Sequence, residues 1–294
     1  MARYDIPDDA WIVIEPCLPP VHSERAGRPH VEHRRVMNGM FWVLCSGAPW
    51  RDLPERYGPW KTVYNRFNRG SKSGIINKIF NRLLSILDEK GLIDWAEICL
   101  DGSNIRASKD AAGGEKKPPD IADDHALGRS RGGYGTKIHL ATDRRGFPLN
   151  LLLTAGQAHE SRSAIPLLDG IGIQRKNGFM KRRGKAVLAD KGYSGGKLRG
   201  YLRKLRIKSV IPYKINEKGS ADGRTQFDEQ AYRDRNVVER CFGFLKGNRR
   251  IATRYEKTAR NYLSRVKLGC IRLFYRQGRS LASLMIRKVK IGDI

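Results

Sequence analysis

GTKIHLATDRRGFPLNLLLTAG, residues 135–156, holds two runs of strand-like composition joined by Asp143–Gly146, a turn-forming tetrapeptide. Upstream, WAEICLDGSNIRA (95–107) reads as another strand, with Ile98, Leu100 and Ile105 apolar. Downstream, SAIPLLDGI (163–171) is a short helix, and KAVLADKGYS (185–194) is a buried strand ending in Asp190. GGKLRGYLRKLRI (195–207) reads as a helix with Leu198, Leu202 and Leu205 on one stripe and Arg199, Arg203 and Arg206 on the next. KSVIPYK (208–214) is a strand, and NEKGSADGRTQFDEQ (216–230) a polar loop. RDRNVVERCFGFLKGNRR (233–250) and NYLSRVKLGCIRLFYRQ (261–277) are helices. Strands first, then strands alternating with helices, predict an α/β fold with a mixed sheet flanked by helices.

Before residue 92 the texture is helical. DDAWIVIEPCL (8–18) puts Trp11, Ile14 and Leu18 on one face, and EHRRVMNGMFWVLCS (32–46) does the same with Val36, Met40, Val43 and Leu44. GAPWRDLPERYG (47–58) breaks the pattern. PWKTVYNRFNRG (59–70) then buries Trp60, Val63 and Phe67 and shows Lys61, Arg66 and Arg69 on its other faces. GIINKIFNRLLSILDEKG (74–91) is amphipathic and stops at Gly91, a natural C-cap. A helix, a Gly/Pro turn and a short basic helix is the order of a helix-turn-helix DNA reader, although a small bundle with a solvated polar face has the same pattern. The expected domains are therefore a helical DNA-binding domain over 1–91, an α/β domain over 92–278 with a mobile loop near 108–130, and a basic tail over 279–294. The loop centres on AAGGEKKPPDIADD (111–124), too rich in Gly, Pro and Lys to pack.

Charge bounds the partner. The 294 residues carry 57 Lys and Arg against 30 Asp and Glu, a net +27. Such an excess repels itself in a compact state and points to a polyanion, with nucleic acid first. The excess is concentrated: 13 basic residues face two acids over 181–218, and 11 face three over 233–267. No apolar run is long enough to span a membrane, and the N-terminus MARYDIPDDA lacks the apolar stretch of a signal peptide. The expected location is the cytoplasm, at the nucleoid, with no membrane partner. The five cysteines are scattered without a CxxC pair, and Cys17, His22, His30 and His33 match no common zinc finger spacing.

Two of the few acids stand at strand ends. Asp101 lies between Leu100 and Gly102, and Asp190 follows Val187, Leu188 and Ala189. Strand ends of open α/β sheets are where ligands bind, yet an aspartate there can equally cap the turn that follows. On the 233–250 helix, Val238, Phe242 and Leu245 form the buried stripe. At 100° per residue, Tyr232, Arg235 and Lys246 fall within about 40° of Glu239, so the four share a face beside it. An ordinary Arg235–Glu239 pair on a solvated face has the same spacing.

The set Tyr232, Arg235, Glu239 and Lys246 resembles the YREK signature of DDE transposases from bacterial insertion sequences, the four/five superfamily. LDGSNIRA (100–107), GRSRGGYGTKIHL (128–140), LADKGYSG (188–195) and RRIATRYEK (249–257) resemble further blocks of that family in the family's order, and 27–70 resembles its N-terminal domain. The likeness runs over about residues 10–275. It implies an RNase H-like catalytic domain behind the helical one, and an enzyme that binds the terminal inverted repeats of its element, cleaves them and joins them to target DNA. It implies that Asp101, Asp190 and Glu239 bind metal, that Tyr232, Arg235 and Lys246 contact phosphate and the cleaved end, and that two copies act together as a homodimer. Three carboxylates without His or Cys suit Mg²⁺ or Mn²⁺, two ions of which could activate the attacking oxygen and stabilise the leaving one. Arg199, Arg203, Arg206, Lys61, Arg66 and Arg69 are the further candidates for phosphate contact. His139 and His159–Glu160 are expected to flank the site. A non-catalytic DNA-binding remnant or repressor, or a nuclease that cuts without joining, are the alternatives.

Overall fold

The computed structural model describes residues 2–20, 31–112, 125–214 and 227–277. Along the chain run α1 (Asp8–Ile14), α2 (His33–Ser46), α3 (Trp60–Lys72), α4 (Ile75–Glu89), β1 (Glu97–Ala107), α5 (Lys109–Ala112), β2 (Gly128–Ser130), β3 (Gly133–Asp143) and β4 (Pro148–Ala155). There follow α6 (Glu160–Asp169), β5 (Ile173–Gln174), β6 (Met180–Lys181), β7 (Ala186–Leu188), α7 (Gly196–Lys204), β8 (Lys208–Val210), α8 (Glu229–Asp234), α9 (Asn236–Lys246), α10 (Arg249–Ala252) and α11 (Ala259–Gln277). The chain forms two compact units: Leu84–Phe244, and Met1–Leu83 together with Leu245–Ile294.

The unit from Leu84 to Phe244 is built on a mixed sheet. β4 pairs antiparallel with β3, and β3 pairs antiparallel with β1. β7 then lies parallel to β1, and β8 parallel to β7. This is the mixed sheet that the strand and helix order predicts. The central strand β1 buries Ile98, Cys99 and Leu100 completely or nearly so, and β7 does the same with Val187 and Leu188. Strands buried on both faces read as continuous apolar runs, as these do. The β3–β4 turn falls at Asp143–Gly146, where Gly146 takes φ +89. The Asp143 carboxylate accepts the backbone N–H groups of Asp94, Arg145 and Phe147.

The second unit is helical, and it differs from the expected division at residue 91. Residues 245–277 belong with the N-terminal helices. The reason is the burial of α11, where Val266, Leu268, Cys270, Ile271, Leu273 and Phe274 are all fully buried. Its Phe274 ring lies 5.5 Å from Phe80, and Tyr275 5.9 Å from Phe41 of α2. The Ser264 and Ser71 hydroxyls meet at 2.7 Å. Arg265, fully buried, lays its guanidinium 4.3 Å from the Phe67 ring centre and gives an Nε bond to Glu256. Burying a Leu, Ile or Phe side chain is worth about 1.5–3 kcal/mol, so the four of these on α11, with Val266 and Cys270 beside them, outweigh the chain entropy of closing a long excursion. Between α2 and α3, residues 47–59 form two 3-10 turns, Trp50–Asp52 and Glu55–Tyr57, in place of the tight turn of a helix-turn-helix.

Of the loop expected near 108–130, α5 and β2 occupy the two ends. Residues 113–124, most of the polar loop at 216–230 and the tail over 279–294 lie outside the described residues. The expected helix over 195–207 stops at Lys204, and Arg206 takes a left-handed φ of +56, so the arginine stripe is interrupted. The long helix expected over 233–250 is divided at Arg235 and again before Arg249. The β5–β6 hairpin was not anticipated. Among the described residues no helix is long and apolar enough to cross a membrane.

Candidate active site

Register brings the two aspartates side by side. Parallel pairing sets Cys99 opposite Leu188, and Asp101 and Asp190 each stand two residues beyond that pair. Side chains two apart on a strand share a face, so both are delivered to the same side of the sheet. β1 continues past this point, with Asp101 still opposite Leu140 of β3, whereas β7 ends and Asp190 enters a turn. The Asp101 Oδ1 accepts the Gly102 N–H at 2.8 Å, and the Asp190 Oδ1 accepts the Gly192 N–H at 2.8 Å, capping a 3-10 turn over Lys191–Tyr193. The capping role and a role in the site therefore coexist at Asp190. Burial pushes the Asp101 carboxyl up to about 6; the Gly102 N–H and Arg235 pull it down, while Asp190 and Glu160 add to the rise.

The third acid comes from the helix. Arg144, at the β3–β4 turn, binds Asp234 at 2.8 Å and Glu97 at 3.5 Å, which ties the α8 end to the sheet. The next residue, Arg235, is only 15% exposed. Its Nη1 lies 3.7 Å from the Asp101 Oδ2, and its Nη2 donates to the Glu239 Oε1. One guanidinium thus joins the strand acid to the helix acid. Burial opposes its charge, but Asp101, Tyr232, Glu239 and Asp190 outweigh that and hold its pKa above the ordinary value. The Tyr232 ring packs 5.2 Å from Phe227, with Arg235 over it at 5.7 Å. Tyr232 sits on α8, across the break from Glu239. Lys246 is exposed at the last residue of α9, past the point where the chain leaves this unit.

Of the expected flanking residues, only Glu160 faces the aspartates. His139 is fully buried against Thr154 Oγ1 and Ser163 Oγ, and burial with Lys137 nearby pushes its pKa down to about 4. His159 caps α6, its Nδ1 accepting from the Ser161 N–H. Glu160 pairs with Lys137, a β3 residue that the sequence reading passed over. Its signal was a lysine between Thr136 and Ile138, both buried. Tyr193 was also passed over, although it stands in the quoted 188–195 block.

The outer phosphate candidates divide. Arg66 turns inward, donating to the Val31 carbonyl at 2.8 Å with His33 Nδ1 at 3.1 Å. Arg199 donates to the Ile211 carbonyl at 2.8 Å and stacks 3.8 Å from the Tyr213 ring centre. Both are structural in this arrangement, because peptide carbonyls already hold their charges. Lys61, Arg69, Arg203 and Arg206 are exposed. Among the described residues no three His, Cys, Asp or Glu side chains stand close enough to hold one ion together. The Glu239 carboxylate is turned to Arg235.

Residues 96–272 match the family described as transposase DDE domain, over more than half of the chain. The chain belongs to the DDE transposase family. Residues 6–80 match a second family, described as transposase of the IS4/5 family. The chain is similar to the transposase named for insertion sequence element IS402 of Burkholderia cepacia, 34% identical over 46% of this chain and 61% of that protein. It is similar to the one named for IS6501 of Brucella ovis, 31% identical over 48% of this chain and 98% of that protein. The chain thus spans about three fifths of the length of the IS402 relative. A superposition on the Mos1 transposase paired-end complex with left transposon end covers 76% of this chain and 81% of that one at 14% identity, and its TM-score of 0.25 is too low to carry an argument.

Proposed function

We propose that this DDE transposase binds the terminal inverted repeats of its element, cleaves DNA there and joins the ends to target DNA, with Asp101, Asp190 and Glu239 holding Mg²⁺ or Mn²⁺. The observation that carries this is the convergence of Asp101 and Asp190 on one face of adjacent parallel strands, with Arg235 linking Asp101 to Glu239. The donors suit such an ion: all are carboxylate oxygens, and His139, opposite Gly102 in the sheet, is committed to Thr154 and Ser163. Asp101 is desolvated and protonates too easily for a lone carboxylate, an environment that a cation relieves. When bound, a pair of such ions polarises the phosphate and activates the attacking oxygen. Asp101 and Asp190 provide rigid anchoring. Glu239, half exposed and paired with Arg235, would exchange that guanidinium for an ion. Arg235 is then released to neutralise a phosphate oxygen beside the reacting centre, with Tyr232 stacked against it. Exposed Lys61, Arg69, Arg203, Arg206 and Lys246 would track the DNA backbone. Action as a homodimer and residence with the nucleoid follow from that reading.

The test is a plasmid carrying the element ends, incubated with purified full-length protein and Mg²⁺ or Mn²⁺. Wild type is expected to nick at the ends and join them to a second DNA, and Asp190→Asn to bind the ends without cutting. Full cutting by Asp190→Asn overturns the reading. Cutting without joining by wild type makes the protein a nuclease, and binding without cutting in either metal makes it a repressor.

A further inference from the structure

A third carboxylate lies between the two aspartates, and it belongs to α6. A Cβ placed on Gly102 would stand 3.0 Å from the Glu160 Oε1, and one placed on Gly192 would stand 3.1 Å from its Oε2. Gly102 and Gly192 are the two residues whose N–H groups hold Asp101 and Asp190. The Glu160 carboxylate therefore reaches from one aspartate's glycine neighbour to the other's, and a side chain at either glycine would press on it. The same point on Gly192 is 2.9 Å from the Asp190 Oδ1, so the Glu160 and Asp190 carboxylates are neighbours. Lys137 fixes the arrangement. Its Nζ donates to the Glu160 Oε1 at 3.1 Å and to the Ala158 carbonyl at 3.1 Å. The lysine side chain is 12% exposed and the glutamate 20%.

An independent observation points to the same place. Tyr193 is fully buried, and among the described residues its hydroxyl has no hydrogen-bond partner. Burial pushes its pKa well above the ordinary value, and the carboxylates of Glu160, Asp101 and Asp190 add to the rise. A buried hydroxyl is costly to leave unpaired, so it marks a spot where a polar ligand is received.

We propose that Glu160 is a positioning residue of the site, which, pinned by Lys137 and joined by the Tyr193 hydroxyl, hydrogen-bonds the water coat of a divalent cation held by Asp101 and Asp190. This rests on the metal-dependent reading above. Hard cations such as Mg²⁺ keep several waters, and groups that orient those waters set affinity without touching the ion. The alternative is that Lys137–Glu160 is only an internal ion pair holding α6 to the sheet.

The two are separated by measuring Mn²⁺ binding to the full-length protein, free Mn²⁺ being followed by its paramagnetic resonance signal, beside thermal unfolding without metal. Glu160→Gln keeps the shape and an acceptor for Lys137. It is expected to weaken Mn²⁺ about tenfold, with a melting temperature near wild type. Tyr193→Phe removes only the orphan hydroxyl and is expected to melt no lower than wild type while binding Mn²⁺ more weakly. Asp190→Asn is expected to lose binding altogether. Wild-type Mn²⁺ affinity in Glu160→Gln or in Tyr193→Phe, with Asp190→Asn defective, overturns this inference and leaves the proposed function standing. Wild-type affinity in Asp190→Asn overturns the metal-dependent reading itself. Should Glu160→Gln fail to fold, Tyr193→Phe decides the matter alone.

Discussion

Asp101 and Glu239 meet the same guanidinium from opposite supports. Asp101 stands on a central strand, 19% exposed, with its backbone paired on β3 and its neighbours buried. Glu239 stands on a helix, 51% exposed, paired with Arg235 one turn before it. The strand fixes its carboxylate at the cost of desolvating it, and the helix leaves its carboxylate hydrated and able to turn. A site built this way has two stiff members and one adjustable member, which fits the absence of a ready three-carboxylate cage among the described residues. Ions would then recruit Glu239 away from Arg235 rather than enter a finished pocket.

That contrast can be broken most sharply at the carboxylates. Asp101→Asn is expected to lower end cleavage by at least about a thousandfold, because it removes an anchoring ligand of the ion. Glu239→Gln should do the same for cleavage while changing the melting temperature little, since its carboxylate is half in water. If Glu239→Gln cuts at the wild-type rate, the helix acid has no part in the chemistry. Arg235→Met comes next, with a loss of about a hundredfold in cleavage. It should also weaken the acidity of Asp101 further, since Arg235 is one of the groups pulling its pKa down.

The desolvation half of the comparison has a pH signature. Burial pushes both Asp101 and Asp143 up to about 6. Each then binds its proton more tightly folded than unfolded. Without metal, these two carboxyls should lower the unfolding free energy as pH rises from about 4 to about 6, while His139, which burial holds down to about 4, offsets part of that fall over the same range. Asp101→Asn removes one of the two contributions, so its melting temperature should drop less across that window. Adding Mn²⁺ at pH 7 should raise the wild-type melting temperature and not that of the variant. An Asp101→Asn profile that runs parallel to the wild type between about pH 4 and 6 contradicts the burial account of Asp101.

The smallest effects belong to the basic surface. Lys61→Ala and Arg69→Ala should each reduce the salt dependence of DNA binding by about one counterion. Arg66→Ala should leave that slope unchanged and lower the melting temperature, because its guanidinium is bonded to Val31 and His33.

Much of this arrangement was readable in the residues. The 143–146 turn, the Gly91 stop at φ +68 and the apolar runs before Asp101 and Asp190 each have a local cause, and local causes are written in adjacent residues. What escaped depended on distant partners. The period of α11 says that one face is buried, not that Phe80 and Phe41 bury it. Arg199 and Arg66 look the same in a sequence whether water or a peptide carbonyl receives them. The helical wheel treated Tyr232 and Glu239 as one helix, yet it missed the break at Arg235 that Arg144 and Asp234 stabilise from the sheet side. Lys137 and Glu160 are 23 residues apart and meet only because β3 and α6 pack together.

The most direct measurement is an anomalous difference map from crystals of the full-length protein grown with Mn²⁺ and an element-end DNA. The account predicts a Mn²⁺ peak bonded to Asp101 and Asp190, with the Glu239 carboxylate turned off Arg235 toward the ion. Mn²⁺ bound only elsewhere, with Glu239 still on Arg235 and no density between the two aspartates, would contradict it.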